Sequence, residues 1–236
     1  MDIARGVCVL AMIAYHFCWD LGYFGFVDLR AITQGLGLFI AQLIGLSFIT
    51  IAGISSRILT FSENFKKKFL RRFFKLILIS AFISTSTFIL NENSFIFFGI
   101  LHFLSVCSII SLILIQIKNN FHLLLIFFGA AIISASGVTF NLPFSLSWLG
   151  LSKEIPMTND FYPLFPWITF YFFGFWLGKV IHRKFKKKND NFSMTQHGSS
   201  VFLNFFEYVG RNALVVYILH QPILFSLFFV FIKLTF

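Results

Sequence analysis

Apolar residues fall in long runs along the chain, and polar residues gather in the gaps between them. Seven stretches, 3–24, 35–58, 70–90, 95–117, 121–142, 163–182 and 211–234, are apolar over the length of a membrane span. A hydrocarbon core about 30 Å thick needs about 20 residues of helix at about 1.5 Å per residue. The first run has no basic segment before it beyond Arg5 and no small-residue cleavage site, so it reads as a retained span rather than a signal peptide. Residues 184–200 (KFKKKNDNFSMTQHGSS) are basic and without periodicity, which predicts a cytoplasmic linker. Residues 202–209 predict a short interfacial helix ahead of the last span. In the loop 143–162, Pro143, Pro156 and the run Met157 to Asp160, with Pro163 just beyond, favour turns. No internal repeat is visible, so an inverted-repeat transporter gains no support. The pattern predicts an all-α fold: a polytopic transmembrane helical bundle of about seven spans, forming one membrane-embedded domain over 1–236.

Composition supports this pattern. Hydrophobic residues make up 58% of the chain and charged residues 12%, against about 45–50% and about 25% in soluble domains. A soluble globule cannot hide that much apolar surface, and an aromatic content of 20% excludes a disordered chain. The net charge of +10 does not point to nucleic acid, because the cations cluster in two loops. Lys66, Lys67, Lys68, Arg71 and Arg72 follow the second span, and Arg183, Lys184, Lys186, Lys187 and Lys188 follow the sixth. With seven spans both loops lie on the side of the N-terminus, which the positive-inside rule places in the cytoplasm. Membrane lipids are then the natural neighbours, and an oligomer is compatible with everything in the sequence. The three cysteines lie inside apolar runs without CxxC spacing, and they predict neither a disulfide framework nor a zinc site. No metal site is predicted from the scattered histidines, and no P-loop, HExxH or GxSxG motif occurs.

Ionisable residues inside spans are costly, at about 2.5–3.5 kcal/mol on insertion scales, so they mark candidate chemistry. In the first span Arg5 and His16 are 11 residues apart, about 20° past three turns, and Asp20 follows His16 by four. All three share a face, with His16 roughly 16 Å deeper than Arg5. An imidazole beside a carboxylate is the least constellation that makes a general base. A plain structural reading stands beside it: Asp20 in interfacial water at a helix end, His16 hydrogen-bonded within the bundle. His102 in the fourth span lies at a depth comparable to His16, as a packed histidine or as part of one shared cavity. In the last span Tyr217, His220 and Gln221 share a face next to Pro222, and Arg211 lies near the inner end. Asp160 precedes the sixth span among turn residues, where it would line an outer pocket.

Several stretches carry a resemblance. Asp2-Ile-Ala-Arg5-Gly6-Val7 with Met12-Ile-Ala-Tyr-His16-Phe17, Ser47 to Ser56, Phe98-Gly-Ile-Leu-His102-Phe-Leu104, Asp160-Phe-Tyr-Pro-Leu-Phe-Pro-Trp167, and Gly210-Arg-Asn-Ala-Leu214 with Tyr217-Ile-Leu-His-Gln-Pro222 are similar to the bacterial members of the heparan-alpha-glucosaminide N-acetyltransferase catalytic-domain family. Arg5-Gly6 followed by His16 also resembles the first helix of the wider membrane acyltransferases that modify cell-surface sugars.

The resemblance implies an integral membrane acyltransferase. It would move an acyl group, acetyl foremost, from cytoplasmic acetyl-CoA or another acyl-CoA to an amino or hydroxyl group of a sugar or glycoconjugate outside. It implies the bacterial inner membrane as the location. Matched onto this chain, His16 takes the place of the family's histidine and Arg5 that of its arginine; His16 would then act as general base or transient acyl carrier, and Asp20, from its spacing, would orient it. Arg5, joined by Arg211, would pair with donor phosphates. His102, Asp160, Tyr217, His220 and Gln221 are the expected cavity-lining residues. The animal lysosomal enzyme is longer, and its implicated histidine lies in a different local context, so the acceptor does not carry over. Two other readings remain: a proton-coupled transporter using the same His and Asp as a relay, and a non-catalytic membrane subunit.

Overall fold

The computed structural model describes residues 1–92, 95–116, 120–189 and 201–235. The described residues are helical apart from loops and two isolated bridges. In chain order the helices are α1 (Asp2–Tyr23), α2 (Leu29–Thr33), α3 (Gly35–Leu59), α4 (Phe65–Leu90), α5 (Ile100–Leu114), α6 (Asn120–Ala135), α7 (Leu164–Asn189), α8 (Val201–Arg211) and α9 (Ala213–Thr235). Five of them, α1, α3, α4, α7 and α9, are long and apolar enough to cross a membrane. The shorter α5 and α6 fall on the other two predicted spans and complete a polytopic all-α bundle of about seven. Apolar side chains such as Leu78, Phe82 and Ile89 of α4 point outward. In water that would be costly, but it suits a helix facing lipid.

Several boundaries differ from the apolar pattern, each for a local reason. The fourth span was expected from residue 95, yet α5 starts only at Ile100. Phe98 is instead held extended, bridged to Phe161, with the Tyr162 amide donating to the Phe98 carbonyl at 3.0 Å. The fifth span was expected to reach 142, but α6 stops at Ala135. Gly137 then turns the chain at φ +63°, and the Phe140 amide bonds the Leu151 carbonyl at 2.8 Å. In contrast, α4 begins before its apolar run and α7 continues beyond its own to Asn189. Lys and Arg are good helix formers, so the basic flanks at 66–72 and 183–188 continue these helices. Residues 184–189 are therefore helix rather than linker; the rest of that linker, 190–200, lies outside the described residues. The pattern missed α2, a single short helix whose N-cap Asp28 accepts from the Arg30 amide at 2.9 Å.

The chain forms two compact units, with a boundary inside α3. The first comprises Met1–Ile51 and Ser193–Phe236. Its core is Val9, Met12, Val209 and Ala213, flanked by Ile13, Ile44, Phe48 and Tyr217. Here α1 packs on α8 backbone to backbone. A methyl on Gly6 would overlap the Phe206 carbonyl oxygen, and one on Gly210 would overlap that of Asp2. At the other end of α1, Phe24, Phe225 and Phe228 join in an aromatic cluster with centroids 5.3–5.4 Å apart.

The second unit is Ala52–Phe192. In it α4 packs on α5 and α6 on α7, with Leu114 and Phe175 in the core. Tyr171 is fully buried and bonds Ser111 Oγ at 2.5 Å, and both hydroxyls reach the Cys107 carbonyl. Such hydroxyl contacts replace apolar contact as the specific link between helices when lipid surrounds them.

Candidate active site

In the first unit α1 and α9 bring together residues 201 positions apart. Asp20 is fully buried near the end of α1, and its Oδ1 accepts from Gln221 Nε2 at 2.7 Å. The ring of His220 stands 4.9 Å from that of His16, tilted by 56°. Tyr217 completes the group, with its ring 5.6 Å from His220. So His16, Asp20, Tyr217, His220 and Gln221 form one cluster. The bond expected between Asp20 and His16 from their spacing is not found among the described residues; the carboxylate accepts from Gln221 instead.

The hydrogen bonds fix the chemistry of His220. Its Nδ1 donates to the Tyr217 carbonyl at 2.5 Å, because a carbonyl only accepts. In the neutral ring the proton is then on Nδ1 and Nε2 carries a lone pair. That Nε2 is buried and has no hydrogen-bond partner among the described residues. The same holds for Asp20 Oδ2 and Gln221 Oε1. Most buried polar atoms in folded proteins are paired, so three unpaired acceptors in one cluster need an explanation. All three accept hydrogen bonds, so together they suit a ligand that brings hydroxyl or amino hydrogens.

The two arginines meet at the opposite end of α1. Arg5 donates to Asp2 Oδ1 at 2.8 Å and reaches the Gly210 carbonyl at 3.3 Å. Arg211 lies 4.0 Å from the other Asp2 oxygen and pairs with Glu207. The glycine neighbours explain this arrangement. Gly6 and Gly210 let the two backbones touch, and that contact sets Arg5 and Arg211 on either side of one carboxylate. The Arg211 side chain keeps 66% of its surface exposed, so its guanidinium remains open to an anion.

The second unit holds the other two candidates, and both cap α5. The Gly99 amide donates to His102 Nδ1 at 3.2 Å, which leaves the proton on Nε2 for Ser84 Oγ, also at 3.2 Å. Ser84 in turn donates to the Ile96 carbonyl at 2.6 Å. Both ring nitrogens of His102 are thus used, in the manner of the back-reaching residue of a capping box. Asp160 Oδ2 accepts from the Ile100 amide at 3.2 Å, and its negative charge suits a helix N-terminus. Sequence reasoning placed His16 and His102 at comparable depth and missed that they sit in different units with different bonding. Among the described residues no group of three His, Cys, Asp or Glu side chains suits a metal.

The catalytic-domain profile of heparan-alpha-glucosaminide N-acetyltransferase matches residues 1–222. The match takes in α1 with Arg5, His16 and Asp20 and ends just beyond His220 and Gln221. No curated protein and no solved structure gives a match. With nearly all of its length matched, the chain belongs to the heparan-alpha-glucosaminide N-acetyltransferase catalytic family, a family of membrane acetyltransferases.

Proposed function

We propose that this protein transfers an acyl group, acetyl foremost, from acyl-CoA to an amino or hydroxyl group of a sugar or glycoconjugate across a bacterial inner membrane. The single observation that carries the reading is the α1–α9 cluster. Its two imidazoles stand together beside two buried, unpaired acceptor atoms, Asp20 Oδ2 and Gln221 Oε1. Acyl-CoA supplies an activated thioester, and the residues of this chain do the rest. His16 takes the proton from the acceptor hydroxyl or amine as it attacks the thioester carbonyl, and that proton passes to the coenzyme A sulfur as the carbon–sulfur bond breaks. His220 Nε2 offers a lone pair to the protonated His16 ring and so takes over the orienting role that spacing assigned to Asp20. Asp20 and Gln221 hold the acceptor through its remaining hydroxyl hydrogens. Arg5 and Arg211 fit donor phosphates, since the exposed Arg211 guanidinium can exchange Asp2 for a phosphate oxygen. With the N-terminus in the cytoplasm, as the basic flanks favour, these arginines face the cytoplasmic pool of acyl-CoA. His102 and Asp160 act at a distance, by holding the start of α5.

Acetyl-CoA binding to the purified protein, measured by calorimetry with Arg5→Ala and His16→Ala alongside, tests the reading. Binding retained in His16→Ala and lost in Arg5→Ala is expected. Folded wild type that binds no acyl-CoA of any chain length would overturn it in favour of a transporter.

A further inference from the structure

A group of cations in the second unit lies outside the site above. Arg57 closes α3, and its side chain is almost wholly buried at 7% exposure. It makes no side-chain hydrogen bond or ion pair among the described residues, and its Nε is buried without a partner. Its guanidinium lies over two aromatic faces, Phe61 at 5.4 Å and Phe175 at 5.1 Å. Lys179 of α7 is nearly as buried, at 8% exposure. Arg183 acts on both Arg57 and Lys179 as a further cation, and Arg57 acts on Lys179. A fourth, Arg72 of α4, donates to Ser56 Oγ beside Arg57 at 2.9 Å.

The packing leaves these charges little room to part. A methyl on Gly178 would press on the Arg57 side chain and the Ile54 carbonyl, and one on Gly53 would overlap the Tyr171 carbonyl. The end of α3 is therefore pressed against α7 with the Arg57 side chain at the contact. His182 stacks on Phe61 at 3.8 Å, which closes one side. A buried charge such as that of Arg57 is ordinarily paired, and like charges gathered at one place repel unless an anion joins them. A phosphate group fits best. It carries up to two charges and several acceptor oxygens, and guanidinium groups bind it in a bidentate fork. The cations lie at the ends of apolar helices, the level at which headgroup and cofactor phosphates are found.

We propose that Arg57, Lys179 and Arg183 form a phosphate-binding site for a ligand at the membrane surface. The inference goes beyond the acetyl-transfer reading and does not depend on it. Two sources share this chemistry, a coenzyme A phosphate and an anionic lipid headgroup.

The test is thermal unfolding of the purified full-length protein in neutral detergent, with coenzyme A, coenzyme A lacking its 3′-phosphate, phosphatidylglycerol or inorganic phosphate added. At least one phosphate-bearing probe should raise the Tm of wild type. Arg57→Gln should weaken that probe at least tenfold, and Arg57→Lys should weaken it less. A shift specific to coenzyme A assigns the site to the donor, and one specific to phosphatidylglycerol assigns it to lipid. Should Arg57→Gln fail to fold, the exposed Arg183→Gln carries the same tenfold expectation. No shift with any probe, or unchanged affinity in the folded glutamine variant, overturns the proposal.

Discussion

Gly6→Ala adds a single methyl group at the point where α1 and α8 touch. Its new Cβ would overlap the Phe206 carbonyl oxygen and crowd the Gly210 amide. Both are backbone atoms, so no side chain can swing aside; α8 must move, by on the order of 1 Å. Overpacking costs about 1–3 kcal/mol, and alanine in a helix returns about 1 kcal/mol relative to glycine. Because the clash is with backbone, the net should lie near the upper end, about 2 kcal/mol of destabilisation. For a chain of this size that lowers Tm by about 4–8 °C. Function should suffer more than stability. The displaced α8 carries Glu207 and Arg211, and the 4.0 Å approach of Arg211 to Asp2 would open. A misplacement of about 1 Å can cost about 10²-fold in rate, so turnover at fixed acetyl-CoA should fall by roughly that factor. The assay pairs thermal unfolding with coenzyme A release, and Gly129→Ala in α6 serves as control. That glycine faces open space, so the same substitution should be neutral or stabilising by up to about 1 kcal/mol. Gly6→Ala with the Tm and turnover of wild type would refute the close crossing and the arginine placement built on it.

Other substitutions separate structure from chemistry. His102→Ala should cost about 1–2 kcal/mol by uncapping α5, with Asn partly restoring the Tm and KM for the acceptor unchanged; a KM effect without loss of Tm would return His102 to the cavity. Gln221→Leu leaves the buried Asp20 carboxylate without its donor and should cost about 1–3 kcal/mol, which Asp20→Leu in the same chain should relieve. If Gln221→Leu unfolds at the wild-type temperature, the Asp20–Gln221 bond does not hold α1 to α9.

Much of the architecture was legible because lipid imposes one rule: a span must be helical and apolar over its length. That rule sees only side-chain hydropathy, so it failed where backbone pairing decides. Phe95 to Gly99 are as apolar as any helix start, yet Phe98 pairs with Phe161 across 63 positions. The failure at 184–189 is the reverse, since lysine is polar but a good helix former. At the site, helical spacing grouped Arg5, His16 and Asp20 on one face of α1 and Tyr217, His220 and Gln221 on one face of α9. It could not tell which group on one helix meets which on the other. Asp20 therefore looked like the partner of His16, four residues away, while its hydrogen bond comes from Gln221, 201 positions on. The roles of Gly6 and Gly210 depend likewise on contact between distant segments.

The most direct test of the central claim is radiolabelled acetyl transfer in proteoliposomes. Acetyl-CoA is supplied on one side and amino sugars and glycoconjugates on the other, for wild type, His16→Ala and His220→Ala. Label on an acceptor with stoichiometric coenzyme A release in wild type is the expected result. His16→Ala should lose about 10²-fold or more with its Tm intact, and His220→Ala should be slowed less. Undiminished transfer by His16→Ala, or substrate flux driven by a pH gradient with no coenzyme A released, would contradict the account.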